Sequence, residues 1–207
     1  MLNEQNSSEV RERILLTAKE LFIKNGYNGT SVRDIAAASG TNVAMVSYYF
    51  RSKYNLFELI FEEALNALIL RLSSTISSDK PFLELIKEWI NTYFDILFEY
   101  PQIPLFILNE VSQNPQRLTA RIKEYNPYSV YEVVAQKVEE EVAAGNIVPT
   151  HPAHLLLNIL SLCMYPFMFG TLATAIMGIS LEMYHELIKD HKAYVVEFTI
   201  NALKPKA

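Results

Sequence analysis

Residues 30–56 read TSVRDIAAASGTNVAMVSYYFRSKYNL, and this stretch decides the fold. Thr30 and Ser31 offer hydroxyl oxygens for a helix N-cap, and Asp34, three residues after Ser31, is placed to close a capping box. A short helix over 32–38 follows, interrupted by Ser39-Gly40. Asn42 then caps a second helix over 43–49. Two helices joined by a turn of three or four residues have helix-turn-helix spacing. Ala36 is small where such a pair must approach closely, Gly40 falls in the turn, and Ile35 and Val46 supply the buried contacts.

Working outward, Val10, Ile14, Ala18, Leu21 and Phe22 recur at helical spacing over 8–24, and Asn25-Gly26 is a C-terminal stop. A longer helix is expected over 53–72, with Leu56, Leu59, Ile60, Ala64, Ala67 and Leu68 along one face, before a Ser-rich boundary at 73–78. Beyond Pro81 the pattern predicts helices at 82–99, 103–112, 115–125, 127–145, 152–177 and 181–203. Asn126-Pro127 separates two of them, because proline is tolerated in a first turn but not in an interior. No repeat, low-complexity tract or strand pattern is present, so the expected class is all-α.

Composition narrows the function. The chain has 207 residues, 18 Lys+Arg against 23 Asp+Glu, half its residues hydrophobic, one cysteine and six glycines. That apolar content excludes disorder. A single cysteine cannot form an internal disulfide, and the amino terminus lacks a basic start followed by an apolar stretch and a small-residue cleavage site. The chain is therefore expected to be cytoplasmic. So few glycines leave little room for a phosphate-binding loop or a β-sandwich. Residues 1–60 hold seven bases and six acids, a net of +1, whereas the remaining eleven bases and seventeen acids give −6. A near-neutral segment in an acidic protein is a weak footprint of approach to phosphates. No acid or base lies between Glu141 and Glu182, yet Asn158, Pro166, Gly170 and the lack of flanking Lys/Arg argue against a membrane span. A helix buried in the core or in a dimer interface explains that run better.

At this point the sequence resembles the TetR family of bacterial transcriptional regulators. The resemblance rests on Gly26-Tyr27, on Thr30 to Ala36, on Gly40, and above all on Tyr48-Tyr49-Phe50-Arg51-Ser52-Lys53 followed by Leu56. It implies a three-helix DNA-binding domain over 1–52 and a larger helical ligand-binding and dimerisation domain over 53–207. It also implies a regulator, a repressor, that binds a pseudo-palindromic duplex operator as a homodimer and is released by a small-molecule inducer. The alternative is a helical intracellular ligand-binding or interaction protein without operator binding.

In a helix-turn-helix the second helix of the pair enters the major groove. Asn42, Val43, Ala44, Met45, Ser47 and Tyr48 are then the base-contact candidates. Val43, Ala44 and Met45 offer only apolar contacts such as thymine-methyl packing, leaving Asn42, Ser47 and Tyr48 for polar readout. Where the family often carries a bulky aromatic or Asn, this chain has Ser47. Thr30, Ser31, Arg33, Thr41, Tyr49 and Lys53 are the phosphate-contact candidates, as hydroxyls and cations near helix N-termini. Tyr49 also reads as a core aromatic, and Arg51 and Lys53 as a solvated helix start; Phe50 reads as packing.

The family's inducer site would fall in the larger part. Pocket candidates are Trp89, Tyr93 and Phe94 on one helix, Phe106 and Asn109 on the next, Tyr125, Tyr128 and Tyr131 around Pro127, and Met164 and Phe167 near Pro166. Spacings such as Trp89/Tyr93 describe a plain core equally well. The absence of a charged cluster on an apolar face points to an apolar or aromatic ligand. Leu156, Leu160, Cys163, Val195, Phe198 and Ile200, on the last two helices, are the dimer-interface candidates. No catalytic constellation, metal site or cofactor motif is apparent. His151 and His154 flank Pro152 at a helix start where polar residues cap, and Cys163 has no adjacent base.

Overall fold

The computed structural model describes all residues except 1, 77–79, 114, 125–126 and 206–207, and the burial of a few further helical side chains, Asn109 among them, is also outside it. Eleven helices are present among the described residues, with no strand: α1 (Leu2–Asn25), α2 (Val32–Ala38), α3 (Val43–Phe50), α4 (Lys53–Ile76), α5 (Phe82–Glu99), α6 (Ile103–Gln113), α7 (Pro115–Glu124), α8 (Pro127–Ala143), α9 (Pro152–Met168), α10 (Gly170–Met177) and α11 (Leu181–Leu203). The chain divides into two compact units, residues 1–66 and 67–207, with the division inside α4.

In the first unit α1 packs on α2 and α2 on α3. Ile14, Ala18 and Phe22 of α1, Ile35 and Ala36 of α2, Val46 and Phe50 of α3, and Leu56, Phe57 and Ile60 of α4 are buried. Helix ends are closed by side chains: Ser31 and Asp34 form the expected capping box, Asn42 Oδ1 accepts from Met45 N, and Ser52 Oγ accepts from Asn55 N. Gly40 takes φ +62° in the α2–α3 turn, a conformation that costs glycine little and other residues more.

In the second unit α5 and α11 pack face to face, α9 lies against both, and α6 and α8 also meet α9. Two expectations are corrected and a third is refined. α4 runs past its expected end at 72 and stops at Ile76, inside the Ser-rich stretch, with the Ser74 and Thr75 hydroxyls donating to the Arg71 carbonyl. Leu59 is exposed, and the inner face of α4 instead runs through Leu56, Phe57, Ile60, Phe61, Ala64, Leu65 and Leu68. The single helix expected over 152–177 is two helices bent by 77°. Pro166 has no amide hydrogen for the α9 ladder, and the Tyr184 hydroxyl donates to the Pro166 carbonyl at 3.0 Å. A Cβ at position 170 would sit 3.0 Å from the Tyr184 ring, so glycine allows α10 to turn against α11 there. Among the described residues no single helix is long and apolar enough to cross a membrane.

Candidate nucleic-acid interface

The exposed side of α3 carries Asn42, Val43, Ala44, Ser47 and Tyr48, with Met45 half-buried at its edge. Val46 and Phe50 occupy the opposite side, against the core. Tyr48 is 81% exposed, its ring edge-on to Tyr49 at 5.2 Å. Five of the six base-contact candidates therefore share one open surface. The helix beneath them is held at its start by Asn42 and in its turn by Ser39, whose hydroxyl donates to the Ile35 carbonyl at 2.7 Å.

The phosphate candidates separate into two groups. Arg33 and Ser31 are exposed at the start of α2. Asp34 sits there too, and its hydrogen bonds from the Ser31 side chain and backbone hold its carboxyl below the ordinary value. That carboxylate opposes an incoming phosphate, and Arg33 must offset it. Thr41 is half-buried and shares a hydrogen bond with Ser39 Oγ at 2.8 Å. Tyr49 is half-buried rather than a core ring, with its hydroxyl 3.0 Å from Ser7 Oγ.

Thr30 and Lys53 have other employment. Thr30 is 1% exposed, and its hydroxyl donates to the carbonyls of Leu21 and Gly26 at 3.1 and 2.9 Å. It locks the loop between α1 and α2 and presents no hydroxyl to solvent. Lys53 Nζ donates to the carbonyls of Tyr27 and Thr30 at 2.9 and 3.0 Å and lies 4.0 Å from the Tyr27 ring centroid. Residues not singled out from sequence support the same surface: Arg13 Nε donates to the Ser39 carbonyl at 2.9 Å, and the Arg11 guanidinium lies 5.3 Å from the Phe50 ring centroid. Both cations stand on α1 within a polar-rich turn, which looks like an ordinary solvated face in sequence.

In the second unit the pocket candidates disperse. Trp89, Tyr93, Phe94 and Phe106 are buried, Tyr131, Met164 and Phe167 half-buried, and Tyr128 exposed. Tyr125 and the burial of Asn109 lie outside the described residues. A cavity of about 740 Å³ opens beside the α9–α10 bend, lined by Phe98, Pro101, Leu105, Pro166, Phe167, Tyr184 and Ile188, with Glu182, His185, Glu186 and Lys189 also in its wall. Of the candidates only Phe167 lines it. Its ring stands 5.4 Å from Phe98 and 6.1 Å from the fully buried Phe94. The charged residues were not anticipated, since they come from the outer turns of α11. Deeper in the unit, Trp89 Nε1 is a buried donor with no partner among the described residues. Burial, and secondarily Cys163, raises the Tyr93 hydroxyl above its ordinary value, and burial pushes the Cys163 thiol up to about 12, leaving it an inert thiol at neutral pH.

Three of the dimer candidates are corrected: Cys163, Val195 and Ile200 are buried within the second unit. Leu156 and Leu160 are half-buried. Phe198 alone of the six is exposed, at 66%. Exposed apolar side chains instead include Leu157 and Tyr165 on α9, Leu172 and Ile176 on α10, and Met183, Leu187 and Tyr194 on α11. Met183, Leu187, Tyr194 and Phe198 repeat at three- and four-residue multiples along one side of α11, a stripe visible in sequence once the inner face is known.

Residues 14–60 match the sequence profile of bacterial regulatory proteins of the tetR family. The chain is similar to a protein of Bacillus subtilis (strain 168) named "Probable HTH-type transcriptional regulator YttP", at 30% identity over 165 residues, 76% of this chain and 77% of that protein. It is 23% identical over 197 residues to the HTH-type transcriptional regulator RutR of Escherichia coli (strain K12), covering 92% of this chain and 90% of RutR. The solved structure of HlyIIR, a hemolysin II transcriptional regulator, shares its fold over 97% of this chain and 99% of that one, with a TM-score of 0.60 at 24% identity.

Proposed function

This chain belongs to the TetR family of bacterial regulatory proteins and is a DNA-binding transcriptional regulator, not an enzyme; from that premise we propose that it is a ligand-released repressor acting as a homodimer on a pseudo-palindromic operator. The observation that carries operator reading is the open face of α3, where Asn42, Val43, Ala44, Ser47 and Tyr48 stand exposed on a helix fixed by its cap and turn. Such a face supplies two short polar side chains, one aromatic hydroxyl and apolar surface suited to thymine methyls. With so few strong hydrogen-bonders, part of the specificity comes from the shape and deformability of the duplex.

Dimerisation is supported by the apolar stripe of α11 and the neighbouring exposed side chains of α9 and α10. Exposed apolar surface on this scale marks an interaction site, and a two-fold dimer presents two reading heads to two half-sites about one helical turn apart. The inducer is a small molecule with an apolar or aromatic body. The cavity beside the α9–α10 bend has a volume suited to one, and the unpartnered Trp89 Nε1 offers a donor to an acceptor group deeper in the unit. To release DNA the ligand must bind the two conformations unequally. α4, which runs from the first unit into the second, is the element through which the change passes.

Mobility shift with the DNA upstream of the protein's own gene tests the reading. A discrete complex that survives excess random duplex at moderate salt is expected. Binding no better than to random DNA would favour a helical ligand-binding protein without an operator.

A further inference from the structure

Every cation near the reading head is a natural phosphate ligand by type, but Lys53 already has two carbonyl partners. We propose that Lys53 is a positioning residue, which fastens the α1–α2 loop to the first turn of α4 and thereby sets the direction of α2, instead of serving as a phosphate ligand. The proposal rests on the reading of this chain as a DNA-binding regulator.

An ammonium has three donors. Two of them reach the Tyr27 and Thr30 carbonyls at 2.9 and 3.0 Å, and the charge stands 4.0 Å from the centre of the Tyr27 ring. That ring packs on Phe57 at 4.8 Å and Phe22 at 5.8 Å, so the ammonium sits over an aromatic cluster built from α1, the loop and α4. Thr30 is itself held by its hydroxyl to the last turn of α1 and to Gly26, and the next residue, Ser31, is the N-cap of α2. One ammonium thus ties the end of α1 and the start of α2 to the start of α4.

The other side of the α4 start is equally constrained. Arg51 takes φ +63° and ψ −48°, and Ser52 N donates to the Phe50 carbonyl at 2.7 Å, the geometry of a γ-turn with positive φ. α3 is therefore joined to α4 by two residues in a tight, strained link, and α2 is joined to it through Lys53. Swinging Nζ out to a phosphate would break two charge-assisted hydrogen bonds and leave two part-buried carbonyls without a donor. Arg33 and Arg51, both exposed, bear no such cost in the described structure.

The full chain carries the test. Lys53→Met keeps the length of the side chain and the helix propensity but loses the donors, while Lys53→Arg keeps charge and donors. Amide hydrogen exchange is expected to speed up about tenfold over 27–35 in Lys53→Met. Exchange over 82–99 should be unchanged, which shows that the variant is folded, and Lys53→Arg should restore protection. The second readout is binding to a random-sequence duplex of about 30 base pairs between about 50 and 200 mM salt. Positioning predicts weaker binding with the wild-type salt slope, whereas a phosphate ligand predicts a slope lower by about one per head with exchange unaltered. Unchanged exchange over 27–35 overturns the proposal, and so does the loss of one unit of slope. A wild-type chain that binds no duplex would sink the DNA reading, while exchange would still decide the role of Lys53.

Discussion

The two units of the molecule are held by different means. In residues 1–66 nearly every change of chain direction is closed by a side chain bonded to backbone: Thr30 and Lys53 at the first loop, Ser31 and Asp34 at α2, Ser39 and Asn42 at the turn, Ser52 at α4. In residues 67–207 His151 and Ser180 cap α9 and α11 and Tyr184 holds the α9–α10 bend, but the helices pack mainly through apolar faces, and many large apolar side chains remain outside. Directional bonds fix one geometry and leave a stiff platform on which exposed residues can be aimed. Apolar faces fix adhesion but not a unique partner, and so suit the proposed pairing with a second copy and the proposed change of shape around a ligand.

The contrast can be broken most severely at the surface of the second unit. Leu187→Glu with Phe198→Glu places two charges on the apolar stripe. The proposed dimer should weaken by about 3 kcal/mol or more, roughly a hundredfold or beyond, in sedimentation or light scattering, without loss of helicity. A variant that stays dimeric would move the interface elsewhere. A comparable effect is expected inside the first unit from Gly29→Ala, because its Cβ would fall 2.2 Å from the Asn25 carbonyl oxygen. The α1–α2 loop must rebuild, at a cost of about 2–4 kcal/mol in a denaturant melt followed by circular dichroism.

Removing one directional bond costs less. Thr30→Val keeps the shape and loses both hydroxyl bonds, which should reduce stability by about 1–2 kcal/mol in the same melt. A wild-type midpoint would mean that the loop is held by packing alone. The smallest effect belongs to the second unit. Burial against the Phe94 ring lowers the His191 imidazole below its ordinary value, so between the folded value and about 6.5 the unfolded chain binds more protons. Stability is complete above that window and falls as pH descends through it. Melting temperature should drop slightly from pH 7.5 to 5.5, and His191→Gln should flatten the difference.

The same division explains what could be read from the amino-acid order. The capping box at Ser31, the Asn42 cap, the Gly40 turn and the burial of Ile35 and Val46 are local signals spanning a few residues, and all are present. Lys53 and Thr30 read as phosphate ligands because their residue types fit. Only the tertiary approach of the α1–α2 loop to α4 reveals that their polar atoms face the backbone. Over 152–177 the sequence is apolar on all sides, so periodicity could not separate the inner Cys163 from the outer Tyr165, nor anticipate that Tyr184 and Gly170 stabilise a bend. The cavity wall was hidden for a related reason: it combines residues from α5, α6, α9, α10 and α11, with no spacing common to them.

A sequence-reading role for the exposed face of α3 would be felt first at Tyr48. Being 81% exposed, it can be replaced by alanine with little effect on folding, which a melt must first verify. Affinities of wild type and Tyr48→Ala are then compared on the upstream DNA that shifts with wild type, on single-base variants of it and on random duplex. A loss of about 1–3 kcal/mol confined to the base pairs Tyr48 faces is expected, with binding to random duplex unchanged. Equal weakening on every duplex, with sequence preference intact, would mean that the α3 face does not read sequence through Tyr48.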